Sequence, residues 1–167
     1  LHPEFVTNGQ LYFSYSGRGE GGTATHLATA RLEGDQLVGL QTLFVAGPYT
    51  ADRFHYGGAL LIGRDRHLYL AVGERHFNEQ DNPALPAAQD PSDSRGKFHR
   101  FDLAGQAAPG VYASGIRAVQ GMAQDADGRI WFTEHGSVAG DEINVLASQA
   151  NYGWPVVTSG AYRNRDR

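Results

Sequence analysis

Two short segments of the chain hold residues that could transfer a proton. His55 stands just before the glycine pair Gly57 and Gly58 and an apolar run, and Glu74 follows the next apolar run. An imidazole can act as a general base when a carboxylate holds its other ring nitrogen. If the two runs are strands joined by a short turn, both side chains lie at one end of a hairpin. A turn or core role for this histidine is the alternative, and the spacing leaves both open.

Arg117 is the second candidate for chemistry, in a predicted loop that leads into a third apolar unit. A guanidinium in such a loop can bind a carboxylate or a quinone oxygen through two parallel N–H groups. The alternative is an ordinary salt bridge to Asp125 or Asp127, which follow a few residues later.

A loop of small residues with an acidic pair after it is the third candidate. It includes Gly136 and Ser137 and continues to Asp141 and Asn144. Backbone carbonyls and carboxylates are ligands that Ca²⁺ accepts without a fixed geometry, and the spacing is not that of an EF-hand. A structural role, in which Asp141 and Asn144 satisfy turn amides, is the alternative.

A repeated strand signature indicates how these loops are positioned. Leu11, Leu68 and Ile130 occupy the same place in three similar segments, 57 and 62 residues apart. Several short strands repeated at such a period are typical of a β-propeller blade. No segment shows a sustained helical period of apolar residues. The pattern therefore predicts an all-β fold with about three blades, over residues 1–50, 51–110 and 111–167.

Apolar and alternating runs predict the individual strands, at residues 10–16, 25–32, 37–45, 57–63, 67–73, 96–103 and 142–146. A third unit begins at Gly121. Between the strands, Glu74–Arg95 is a polar segment rich in proline, and a connection of this length inside a compact domain is usually functional or mobile.

Composition and charge exclude several classes of protein. Apolar residues make up 41% and charged residues 19% of the 167 residues, which is typical of a packed domain rather than a disordered one. A net charge of −4 gives no electrostatic footprint for nucleic acid. The chain has no cysteine, so a disulfide framework and a thiolate site are excluded. No apolar run is long enough to predict a membrane span, and neither a signal nor an anchor is visible.

Taken together, the motifs resemble one family. They occur in a single order: His55-Tyr-Gly-Gly, Gly73-Glu74, Gly115-Ile-Arg117 with Gln120-Gly121, Glu134-His-Gly136, Gly140-Asp-Glu-Ile-Asn144 and Asn151-Tyr-Gly-Trp-Pro155. This order resembles the soluble, pyrroloquinoline-quinone (PQQ)-dependent aldose sugar dehydrogenases of the glucose/sorbosone dehydrogenase family. The resemblance spans nearly all of the chain and implies a six-bladed β-propeller, of which about three blades are present.

The resemblance also implies a role for each matching residue. His55 would be the base for oxidation of an aldose at C1 to the lactone, with hydride transfer to PQQ, and Glu74 would hold it. Arg117 would bind the quinone oxygens, with Gln120, His135 and Gly136 as further cofactor-binding residues. The carbonyls of Gly136 and Ser137 would hold Ca²⁺. An electron acceptor and a periplasmic or secreted location are implied as well.

The chain departs from the family at two adjacent positions, where Ala118 and Val119 replace the usual Asn-Pro. Ser137 also replaces a usual proline. Two alternatives therefore stay open: a sugar-binding or scaffold propeller without catalysis, and a calcium-dependent propeller hydrolase of the lactonase type. About three blades do not close a ring, so the sequence predicts either part of a larger enzyme or a homodimer that completes the ring.

Overall fold

The computed structural model describes residues 1–76, 84–108 and 110–160. A single helical turn, α1 (Phe5–Asn8), precedes the strands. The first sheet is antiparallel and has the order β1 (Gln10–Gly19), β2 (Gly22–Glu33), β3 (Gln36–Val45). The second has the order β4 (Gly57–Ile62), β5 (Leu68–Val72), β6 (Lys97–Phe101), β7 (Ala113–Ser114). The third consists of β8 (Val119–Gln124), β9 (Ile130–Glu134) and β10 (Glu142–Val145), with β9 in the centre.

The second sheet lies between the other two, because β4 contacts both β1 and β8. Two apolar clusters fill the gaps. One joins the first and second sheets and includes Leu27, Leu70 and Phe101, and the other joins the second and third sheets through Phe98 and Phe132. Burying these side chains is the main stabilising contribution to the stack, about 1.5–3 kcal/mol for each large side chain.

The alternation of residue types explains which face of each strand is buried. In β9, Ile130, Phe132 and Glu134 are buried while Trp131 and Thr133 are exposed, as expected for a strand that packs on one side. All five residues of β5 are buried, because this central strand is covered on both faces. The sequence predicted an all-β fold, and the structure confirms it.

The repeated signature falls on β1, β5 and β9. Both β5 and β9 have a neighbour on each side, whereas β1 is the edge of its sheet. An open cleft of about 350 Å³ lies between β1 and the second sheet, lined among others by Tyr12, Leu60 and Ile62. The division into units 1–50, 51–110 and 111–167 stays a prediction, and β7, which follows residue 110, pairs with β6 of the second sheet.

The predicted loop Glu74–Arg95 includes residues 77–83, which lie outside the described ranges. Lys97, a fully buried residue of β6, binds the last part of this loop. The Lys97 Nζ donates to the carbonyls of Ala87 and Arg95, at 2.6 and 2.8 Å. Burial lowers the pKa of Lys97 to about 8. In the ranges that the structure describes, no helix is long and apolar enough to cross a membrane.

Candidate functional site

The candidate residues meet at one rim of the stacked sheets. His55 lies just before β4 and Arg117 just before β8, while Glu74 follows β5 and Glu134 ends β9. Neighbouring strands are antiparallel, so the start of one lies beside the end of the next. Backbone hydrogen bonds join the loops, and the Glu74 N–H donates to the carbonyl of Arg117 at 2.9 Å. Loops that are distant in sequence thus form one continuous surface.

His55 and Glu74 are in direct contact. The His55 Nδ1 forms a short hydrogen bond with Glu74 Oε1, and the two side chains are 17% and 1% exposed. Gly73 makes this approach possible: a Cβ at Gly73 would lie 1.9 Å from the His55 carbonyl oxygen, where no side chain fits. The hairpin thus brings together the pair that the sequence suggested, and leaves only the outer part of the imidazole open to solvent.

Arg117 reaches the opposite nitrogen of the same imidazole. Its Nη2 lies 3.2 Å from His55 Nε2, and its Nη1 donates to the carbonyl of His135 at 3.1 Å. Because a guanidinium only donates, Nε2 must be the acceptor and the ring proton lies on Nδ1, facing Glu74. This tautomer presents the basic lone pair of Nε2 on the side of Arg117.

The alternative partners of Arg117 are engaged elsewhere. Asp125 and Asp127 form ion pairs with Arg129, at 2.8 and 2.7 Å. Asp125 also accepts hydrogen bonds from the turn amides of Asp127 and Arg129, so its role is to close the turn before β9.

Trp154 supports Arg117 from behind. Its ring centroid lies 5.2 Å from the guanidinium carbon, and its backbone N–H donates to the carbonyl of Gly115 at 2.9 Å. Gln89 holds the tryptophan carbonyl with a hydrogen bond of 2.6 Å. The sequence motif Asn151–Pro155 marked this segment but gave Trp154 no role, because its packing on Arg117 depends on tertiary contacts.

Glu134 binds the backbone of Arg117. Its Oε1 accepts a short hydrogen bond from the Arg117 N–H, and its Oε2 has no hydrogen-bond partner among the described residues. Glu142 lies directly opposite on β10. Burial, followed by repulsion from Glu142, raises the pKa of Glu134 from 4.5 to about 7, against the opposing effect of the Arg117 N–H. The sequence named Glu134 only as the first residue of the motif Glu134-His-Gly136 and indicated no role for it.

The loop after β9 is tightly folded. A Cβ at Gly136 would lie 2.1 Å from the Ala139 carbonyl oxygen, and the Gly136 N–H donates to Asp141 Oδ1 at 2.9 Å. Asp141 therefore satisfies a turn amide, as the structural alternative predicted, while Asn144 donates to Glu142 at 3.0 Å. Within the described parts of the chain, no group of three or more acidic or histidine side chains could hold a metal.

An open cleft of about 470 Å³ connects these groups. Six of the seven site residues predicted from the sequence line this cleft: His55, Arg117, Gln120, His135, Gly136 and Ser137. The seventh, Glu74, is buried and contacts the cleft only through His55. The guanidinium and the Gln120 amide are donors suited to quinone and carboxylate oxygens. The carbonyl oxygens of Ala139 and Gly140 lie close to Gly136, and Asp141 Oδ1 accepts the Gly136 N–H. Oxygen atoms are the ligands that Ca²⁺ prefers, so the types of atom around the cleft are compatible with a quinone and with this cation.

Comparison with known proteins identifies the class. Residues 1–166 match the family model described as Glucose / Sorbosone dehydrogenase, so the chain belongs to this family. It is 32% identical to the aldose sugar dehydrogenase YliI of Escherichia coli in an alignment of 176 positions, which covers 96% of this chain and 46% of that protein. It is 27% identical to quinoprotein glucose dehydrogenase B of Acinetobacter calcoaceticus, covering 94% of this chain and 39% of that protein.

Solved structures agree. The apo form of the soluble E. coli aldose sugar dehydrogenase superposes with a TM-score of 0.87 at 30% identity, covering 98% of this chain and 50% of that one. The PQQ-bound aldose sugar dehydrogenase of Streptomyces coelicolor gives 0.75 at 28% identity, covering 94% and 47%. The fold is therefore the predicted β-propeller of the six-bladed type, with about three blades present. The chain spans about half the length of these relatives.

Proposed function

We propose that this chain forms the proton-transfer part of a quinone-dependent sugar dehydrogenase, which oxidises an aldose at C1 to the lactone. The carrying observation is the position of His55 between Glu74 and Arg117 at the edge of an open cleft. The names of the relatives, an aldose sugar dehydrogenase and a quinoprotein glucose dehydrogenase, support the substrate and cofactor class.

In this proposal His55 accepts the proton of the C1 hydroxyl on Nε2. The hydroxyl takes the place of the Arg117 contact at 3.2 Å, a long hydrogen bond that is readily exchanged. The Glu74 carboxylate then stabilises the imidazolium that forms, and it keeps the ring in the orientation that points Nε2 outward. A positioned general base contributes about 10²–10⁴-fold to a rate.

The cofactors follow from the donor types in the cleft. Arg117, Gln120, His135 and Gly136 would hold PQQ, and the carbonyls of Gly136 and Ser137 would hold Ca²⁺. When bound, the quinone supplies the acceptor for the C1 hydride and the cation supplies Lewis-acid polarisation. Ala118 and Val119 are 2% and 0% exposed, and although Ala118 borders the cleft, neither side chain has a hydrogen-bond donor to offer a cofactor.

Several parts of the proposal extend beyond the site. The three sheets correspond to three blades, and the ring is completed either by further chain or by a second copy. An external electron acceptor would take up the electrons from the quinone, and the periplasmic or secreted location is the one that the resemblance implies.

The test is to add PQQ and Ca²⁺ to the purified chain and then an aldose. We expect bleaching of the oxidised quinone absorbance and reduction of an artificial dye. His55→Ala should slow both by about 10²–10⁴-fold, whereas His67→Ala, at an exposed position beside Asp65, should slow neither. Sugar binding without quinone reduction would contradict the proposal in favour of a binding module. Hydrolysis of a lactone with Ca²⁺ alone would contradict it in favour of a hydrolase.

A further inference from the structure

Arg75, the residue after Glu74, is a buried cation that the proposed chemistry does not use. It is 1% exposed, and no carboxylate among the described residues lies within ion-pair distance of it. A buried guanidinium needs acceptors for its N–H groups. An unmade hydrogen bond of a buried charged group costs more free energy than one of a buried neutral group. Its contacts therefore show what it holds in place.

Among the described residues, its hydrogen-bond acceptors belong to two segments. Its Nε donates to the carbonyl of Phe54 at 2.9 Å, and Nη2 donates to the carbonyl of Asp52 in a short hydrogen bond. Toward β2, Nη1 donates to the carbonyl of Thr23 at 2.9 Å and Nη2 to its hydroxyl at 3.2 Å. The guanidinium carbon lies 3.8 Å from the centre of the Tyr56 ring.

These contacts surround His55 in the chain. Arg75 holds the carbonyl of the residue before His55 and stacks on the ring of the residue after it. It ties both to Thr23, whose hydroxyl also bonds the Tyr56 hydroxyl at 2.7 Å. The imidazole thus projects from a short segment that one side chain fastens to the first sheet.

The backbone on both sides of this contact, at His55 and in the residues after Glu74, needs such support. His55, Arg75 and His76 have φ values of 50°, 59° and 61°, in the left-handed region that side chains other than glycine seldom adopt. Residues held in this region cost about 1–3 kcal/mol each and persist only where surrounding contacts determine them. His76 adds to this arrangement, since its ring meets that of His55 edge-on at 4.1 Å and its Nδ1 bonds Asp52 at 2.7 Å.

We propose that Arg75 is a positioning residue, which acts through the 52–56 segment to set the orientation of the His55 imidazole toward Glu74. A lysine keeps the charge but cannot reach the same acceptors, because its ammonium is a single point with three donors. The effect of Arg75 on catalysis rests on the proposed function. Its structural content, the geometry of the His55–Glu74 hydrogen bond, can be measured without sugar or quinone.

The experiment is ¹⁵N and ¹H NMR of the chain with labelled histidine, with His55 assigned by its loss in His55→Gln. In Arg75→Lys we expect the Nδ1–H resonance of His55 to move upfield, because its hydrogen bond to Glu74 weakens, and its exchange with water to become about tenfold faster. The matched control is Arg100→Lys. Arg100 also stacks on a tyrosine, because its guanidinium carbon lies 5.3 Å from the centre of the Tyr112 ring. Its substitution by lysine should leave the His55 signals unchanged.

Two further variants keep the proposal falsifiable if Arg75→Lys does not fold. Thr23→Val removes one acceptor and keeps the side-chain shape, so it should shift the same resonance by a smaller amount. Arg75→Ala should regain the wild-type resonance when guanidinium chloride is added, but not with sodium chloride at equal ionic strength. An unchanged His55 resonance in a folded Arg75→Lys or Thr23→Val chain would overturn the proposal, whether or not the chain oxidises sugars.

Discussion

The pH dependence of stability should report on the buried carboxyl of Glu134. We expect Glu134→Gln to remove a loss of stability that the wild-type chain shows as the pH rises. The glutamine keeps an oxygen for the Arg117 N–H and cannot ionise. The substitution therefore isolates the charge of the carboxylate from the hydrogen bond that it makes.

The magnitude follows from the raised pKa. Burial raises the pKa of Glu134 from 4.5 to about 7. A carboxyl whose pKa is higher in the folded chain favours folding when protonated, so its contribution is complete below pH 4.5 and is lost as the pH rises through 7. At about 1.4 kcal/mol for each pH unit, the loss amounts to about 3 kcal/mol between pH 4 and 8. That is a large fraction of a typical domain's stability.

The assay is urea unfolding of both proteins between pH 4 and 8, followed by tryptophan fluorescence. Burial lowers the pKa of His99 and of His26, which makes stability fall at acidic pH, in the opposite direction. Both histidines are present in each protein, so their contribution cancels in the difference. Glu142→Gln should reduce the slope only in part, because repulsion from Glu142 is the smaller cause of the raised pKa. Glu33→Gln, at an exposed turn, is the control.

Parallel stability curves for the wild type and Glu134→Gln would refute this reasoning. They would mean that the Glu134 carboxyl titrates at the same pH in the folded and unfolded chain. Burial would then not be the dominant influence on it, and the hydrogen bond from the Arg117 N–H would offset the loss of hydration.

Three other predictions concern the site and the assembly. His55→Ala should lower any quinone-dependent sugar oxidation by about 10²–10⁴-fold, measured by stopped-flow dye reduction, while circular dichroism shows an intact fold. Undiminished activity would remove His55 from the mechanism. Arg117→Lys should weaken quinone binding in a fluorescence titration, since an ammonium cannot make a planar two-pronged contact, and equal affinity would count against this role. Finally, Trp131, Ile143 and Val145 are 37%, 71% and 38% exposed on the third sheet, so the chain should dimerise in sedimentation or bind a hydrophobic dye. A monomer without dye binding would contradict that expectation.

The strands could be predicted because their signals are local. The apolar run of β5 and the alternation in β9 lie within a few neighbouring residues, and Asp125 closes its turn with amides two and four residues away. The pairing of His55 with Glu74 was accessible for the same reason, since one short hairpin joins them. In contrast, β7 has only two residues and no pattern that could reveal it.

The rest of the site depends on contacts between sheets. Arg117 meets an imidazole 62 residues away, and Trp154 packs behind it from a third segment. The left-handed backbone conformation of His55 and Arg75 could not be predicted from the sequence either, because glycine is the residue that usually marks this conformation. Such features follow from the relative placement of elements, which no local pattern specifies.

The space around Gly73 has a consequence for how function can be mapped by mutation. A side chain at this position would meet the His55 carbonyl oxygen, so even alanine displaces the segment that presents the imidazole. In a saturation scan, position 73 should therefore be as intolerant as His55 itself, although Gly73 contributes no reactive atom. A screen that equates intolerance with chemistry would assign the glycine to the mechanism, whereas its real contribution is the empty volume that it leaves.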